Sequence, residues 1–170
     1  MTEMIFKLKL KNTFFRGQSL VEVVVSIGIA VMLAISLITT SLITQKSARS
    51  ARNNTQATKL VQQTLEQLRV FRDRKGFTAL PSVPPPTPTC FTFSTPDLND
   101  PTTWTLGSTV CTSLQTIPLD TTNFLRKIEM VNQGASAEKR LITVTINWDE
   151  SGQTRSVKSQ TILGLWQDFP

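Results

Sequence analysis

The run RGQSLVEVVVSIGIAVMLAISLITTSLIT, from Arg16 through Gly17, Gln18, Ser19, Leu20, Val21 and Glu22 to Thr44, decides how the rest of the chain is read. Of the 27 residues from Gln18 to Thr44, only Glu22 carries a formal charge, and Val23 to Ile43 is 21 residues with none. As a helix rising roughly 1.5 Å per residue, that uncharged part alone covers about the thickness of a hydrocarbon core. A carboxylate inside such a segment is costly, so Glu22 needs a partner or a purpose.

N-terminal to the run, Lys7, Lys9, Lys11 and Arg16 face a single acid, Glu3. This positive-inside bias keeps the short arm in the cytoplasm and makes the run a single-pass anchor in the cytoplasmic membrane, with the residues beyond Thr44 forming an extracytoplasmic C-terminal head. A secretory signal has a shorter apolar core followed by small residues at a cleavage site, and Ile38-Thr39-Thr40-Ser41 matches that poorly. The run therefore reads as an anchor that is kept.

C-terminal to the run, helical periodicity continues while the sequence turns polar. Leu60, Val61, Thr64, Leu65, Leu68 and Phe71 recur at three- and four-residue steps. No proline occurs from Met1 to Leu80, so one helix is expected from about Ser19 to about Arg74, ending near Gly76 and on the order of 80 Å long. Its first half is apolar all round, and its second half offers one apolar stripe.

Pro81, Pro84, Pro85, Pro86 and Pro88 then stop regular structure, and the threonine-dense stretch to Asn123 reads as a long loop region with short strands near Phe91-Thr92-Phe93 and Trp104-Thr105-Leu106. A loop of that length needs a tie. Cys90 and Cys111, with 20 residues between them, supply one as a disulfide on the exported side, contributing about 3 kcal/mol in the chain-entropy description. Metal binding by this pair is the weaker reading, because the chain contains no histidine.

The last third alternates. Ile142, Val144, Ile146 and Trp148 share one face of a strand, Phe124 to Val131 precedes it, and Thr154 to Leu165 returns after the turn Asp149-Glu150-Ser151-Gly152-Gln153. The expected fold class is α+β: a long N-terminal helix, half transmembrane and half amphipathic, packed under a small antiparallel sheet of about three strands. Trp104, Trp148 and Trp166 lie in or beside apolar strands and read as packing residues.

The net charge of +6 is local. The N-terminal arm contributes half, and Gln45 to Gly76 concentrates Lys46, Arg49, Arg52, Lys59, Arg69, Arg72, Arg74 and Lys75 against Glu66 and Asp73. Lys46, Arg49 and Arg52, just outside the membrane, suit anionic lipid or acidic neighbours. Contact with nucleic acid is the less supported alternative, since no aromatic residues interleave with these cations. Without histidine or tyrosine, and with both cysteines committed, no triad, thiol nucleophile or metal cluster can be assembled, so neither catalysis nor a cofactor is expected. Asp149 and Glu150 are adjacent in a turn and read as solvated turn residues.

The basic arm, Gly17, the Glu22 carboxylate, the apolar helix with its amphipathic continuation and the small sheet together resemble the type IV pilin superfamily. Gly17-Gln18-Ser19-Leu20-Val21-Glu22 looks like the motif read by prepilin peptidase, which cuts after the glycine and methylates the new amino terminus. The resemblance implies a leader over residues 1–17, cleavage between Gly17 and Gln18, and N-methylation of Gln18. It also implies an assembly role for Glu22, paired with the terminal amine of a neighbouring subunit. The remaining divisions are a transmembrane and assembly helix over 18–44, its amphipathic continuation over 45–76, a proline- and threonine-rich region with the disulfide over 77–123, and the sheet of the head over 124–170.

The sequence departs from major pilins in having Gln18 where phenylalanine usually begins the mature chain, and in lacking a proline between Val23 and Thr44. The pattern Arg126-Lys127-Ile128 followed by Ile142 to Trp148 is most similar to minor pilins and the I-type pseudopilins of type II secretion. Implied partners are the prepilin peptidase, other pilin subunits of a filament and the inner membrane. The competing reading is a membrane-anchored extracytoplasmic binding protein that does not polymerise, with Glu22 merely at headgroup level.

Overall fold

In a computed structural model, residues 20–134 and 137–165 are described. Gly17, Gln18, Ser19 and Trp166 lie outside the described residues, as does the leader. The contacts divide the chain into two units, Met1–Ser47 and Ala48–Pro170.

A single helix, α1, runs Leu20–Lys75. Its C-terminal boundary is set by Gly76, whose φ of 84° is a conformation that only glycine adopts without strain. Within the second unit, Ala57, Val61, Leu65, Leu68 and Phe71 of α1 are buried, with Thr64 on the same face and Leu60 packed beside them. This is the stripe expected from the periodicity.

The sheet that covers the stripe has six strands, not about three. They are β1 (Thr89–Ser94), β2 (Thr105–Thr109), β3 (Gln115–Leu119), β4 (Thr122–Asn132), β5 (Lys139–Glu150) and β6 (Gln153–Gly164). All pairs are antiparallel, in the order β2-β1-β4-β5-β6. β3 joins the same flank of β4 that β1 uses: β1 pairs with Ile128 to Met130, and β3 pairs with Thr122 to Arg126. The two strands thus meet β4 end to end.

The three C-terminal strands match the expected ones closely. Of the additional three, β1 and β2 coincide with the short strands expected near Phe91 and Trp104 but join the same sheet, and β3 falls in the stretch read as loop. Pro118 sits inside β3, where it is tolerated because β3 lies on the edge and a missing N–H need not face a ladder. The β5–β6 turn is tighter than expected, since only Ser151 and Gly152 separate Glu150 from its partner Gln153. Both have positive φ, 53° and 77°, which matches the twist of the flanking strands.

Phe124, Ile128 and Met130 of β4 and Ile142, Val144, Ile146 and Trp148 of β5 point to the helix and are buried with it. Phe93 is completely buried and stands edge-on to both Phe71 and Trp104, with ring centroids 5.7 and 5.8 Å away. The proline-rich connection is stitched down rather than loose. Asn132 receives the Val83 N–H at 3.0 Å on its side-chain oxygen and gives its own backbone N–H to Val83 O at 2.7 Å. The Arg140 guanidinium donates to Pro81 O and Ala137 O and lies over the Phe77 ring. These contacts let Leu80 and Val83 enter the core.

Phe93→Ala removes a fully buried ring packed between Phe71 and Trp104. It is expected to cost about 3–5 kcal/mol in urea unfolding of the detergent-solubilised chain, whereas Leu98→Ala, at a side chain 60% exposed, stays within about 0.5 kcal/mol.

Candidate functional site

Between Leu20 and Arg49 every residue of α1 is exposed. Leu20, Met32 and Leu37 show 73–79% of their surface, and valines, isoleucines and leucines fill the rest of the segment. A helix apolar on all sides has nothing to gain from water, so this part is built for lipid or for other helices. It is long and apolar enough to cross a membrane by length and composition.

Four hydroxyls in this part are quenched locally. The hydroxyls of Ser26, Thr39, Thr40 and Thr44 donate to the carbonyls of Glu22, Ile35, Ser36 and Thr40 at 2.7–2.9 Å. A hydroxyl bonded four residues back leaves no donor that must find a partner outside the helix. Glu22 has no such device. It stands in the first turn of the described helix, exposed, with no ion-pair partner among the described residues. Ser26, Ala30 and Ala34 come after it at four-residue steps, where small side chains permit close approach of a neighbouring helix. Gln18, which the resemblance makes the new terminus, and Gly17 lie outside the described residues, so the structure does not bring them together with Glu22.

Cys90 and Cys111 form the disulfide, with Cα atoms 5.1 Å apart. The bridge reinforces a hairpin rather than tying an irregular loop, because Cys90 already pairs with Thr109 in the β1–β2 ladder. Both sulfurs lie within 4.8 Å of a Glu129 carboxylate oxygen, but bonded to each other they offer no thiolate to an ion. Glu129 is held by Lys127 Nζ at 2.9 Å.

Four of the eight cations of the basic stretch are engaged by groups of the head or of the helix itself. Arg52 binds Asp120 at 2.6 Å, Arg69 pairs with Glu66, Arg72 with Asp73 at 2.7 Å, and Lys75 donates to Trp104 O at 2.6 Å. The Arg52 pair is more than half exposed on both sides, so it contributes at most about 1 kcal/mol.

One residue that enters the sequence pattern only as a member of a strand proves unusual. Arg126 lies on β4 between Phe124 and Ile128, in the inward register, and is 8% exposed. Its guanidinium donates to Thr64 Oγ1 at 3.3 Å, Phe93 O at 2.6 Å and Gln115 Oε1 at 2.7 Å, all neutral acceptors, while Nε has none. Burial pushes its pKa down to about 10, which leaves it charged at neutral pH. The alternation of β4 held the signal: Phe124, Arg126, Ile128 and Met130 share one face.

Comparison with protein-family models, curated proteins and solved structures finds no match.

Replacing both Cys90 and Cys111 by alanine is expected to lower stability by about 3 kcal/mol while the circular dichroism spectrum at room temperature stays unchanged, because five ladder pairs still hold the hairpin.

Proposed function

We propose that the chain is a structural subunit, a minor pilin or pseudopilin, of a type IV pilus-like filament. In this reading prepilin peptidase cuts after Gly17 on the cytoplasmic face and methylates Gln18. The subunit then waits in the membrane with its head on the extracytoplasmic side. Assembly draws residues 18–44 out of lipid and packs them against like helices, and the head decorates the outside.

The observation that carries this reading is the exposed, all-round apolar half of α1 with its one carboxylate at Glu22. Lipid satisfies the apolar side chains but leaves the carboxylate poorly placed, whereas a neighbouring amine beside it satisfies both. A subunit slipped along the bundle would bury a charge without a mate, so the pair sets register. The hydroxyls of Ser26, Thr39, Thr40 and Thr44 are bonded within the helix, so these bonds persist when lipid is exchanged for protein neighbours.

The competing role, a tethered binding protein that never polymerises, needs only the anchor. Intact mass after co-expression with a prepilin peptidase separates the two. The filament subunit loses residues 1–17 and gains one methyl group on Gln18, and the tether keeps its leader. Gly17→Ala is expected to impair cutting. Glu22→Ala is expected to be cut normally yet fail to enter filaments sheared from cells; incorporation of Glu22→Ala at the wild-type level would remove the register role.

A further inference from the structure

Arg126 stands at a cleft. A cavity of about 420 Å³ opens beside it, within the range of small-molecule sites, walled by Gln63 and Gln67 of α1, Gln115 and Ile117 of β3, and Leu98 from the β1–β2 connection. Arg126 is the only charged residue among those that line it.

Three features set the chemistry of an occupant. First, the guanidinium is buried without a carboxylate: no ion pair to Arg126 exists among the described residues, and its three acceptors are neutral for five N–H donors. A buried charge in this condition is stabilised by any anion that reaches it. Second, a lone cation matches a monoanion; a phosphate dianion would carry surplus negative charge into a wall that offers no other cation. Third, the side-chain amides of Gln63 and Gln67 supply N–H donors to a second oxygen, while Leu98 and Ile117 suit an apolar body. Carboxylate is the monoanion whose planar oxygens fit a guanidinium best.

We infer that the cleft between α1, β3 and the β1–β2 connection is a binding site for a small organic monocarboxylate, with Arg126 as the anchoring cation. This site is independent of whether the chain assembles into filaments.

The plain alternative is that Arg126 only cross-links α1, β1 and β3 through its three hydrogen bonds. The test separates the two. The full chain in detergent micelles is titrated with sodium benzoate while the Arg126 Nε–Hε and Gln115 side-chain amide resonances are followed. A saturable shift with a dissociation constant on the order of millimolar is expected, and neutral benzamide is expected to bind at least about tenfold more weakly. Gln63→Glu places a competing carboxylate at the cleft from an exposed helix position and is expected to weaken benzoate about tenfold, whereas Gln62→Glu, an equal charge change outside the lining, leaves it unchanged. Arg126→Leu is expected to abolish binding; should that variant not fold, the Gln63 and Gln62 pair decides. Absence of a saturable shift, equal binding of benzamide, or identical affinity in Gln63→Glu and Gln62→Glu would each overturn the assignment.

Discussion

Burial of one stripe of α1, from Ala57 to Phe71, against the inward side chains of β4 and β5 is the contact on which the folded unit depends. Neither surface is viable alone. The stripe exposed would be a helix with an apolar face in water, and the sheet exposed would present Phe124, Ile128, Met130, Ile142, Val144 and Ile146 as one patch. Their mutual removal from water is proportional to area and needs no specific partner, which is why polar stitches are found at the margins. Asn132 and Arg140 hold the proline-rich connection at one end of β4 and β5, and Thr64 and Arg126 lie within the packed layer itself.

The N-terminal half of the same helix obeys the opposite rule. Its side chains have no cover of their own, so its stability rests on what surrounds it, lipid or protein. Non-polar surroundings accept valine, isoleucine and leucine in any rotation and give little information about depth or neighbour. A carboxylate in that setting gives a great deal, because its free energy depends steeply on where the nearest positive group lies. In the filament reading proposed above, one residue of the segment sets position and the remainder supply cohesion.

The helix and the C-terminal strands were legible because each obeys one dominant period. An absence of proline through Leu80 and a glycine at Gly76 bounded α1 at its C-terminal end, alternation from Leu141 marked β5, and the apolar-rich run from Phe124 before the Asn132-Gln133-Gly134 link marked β4. β1 and β2 showed only as short strands near Phe91 and Trp104, without their place in the sheet, and β3 did not show at all. All three are short, and Pro118 interrupts β3, so neither period rises above the turn signals around them; β1 joins β4 from far away in sequence and β2 enters the sheet only through β1. The disulfide was legible from spacing, but its setting in a ladder was not. Glu22 stood out as a single charge in an uncharged run. Arg126 did not, because a basic residue in an alternating strand reads as outward unless its register with Phe124 and Ile128 is taken literally, and its lack of a counter-charge is a property of three elements at once.

The end-to-end meeting of β1 and β3 on one flank of β4 divides the sheet's near side into two patches that answer to different parts of the chain. β1 carries the bridge to Cys111 and brings Phe93 and Ser94 to the cleft, and β3 brings Gln115 and Ile117 to it. The few residues from Val110 to Leu114 that link the patches belong to no ladder. Because Cys111 lies in that link and is bonded to Cys90, β1 and the approach to β3 are fastened covalently as well as through their shared neighbour β4, so the two strands cannot leave the sheet independently.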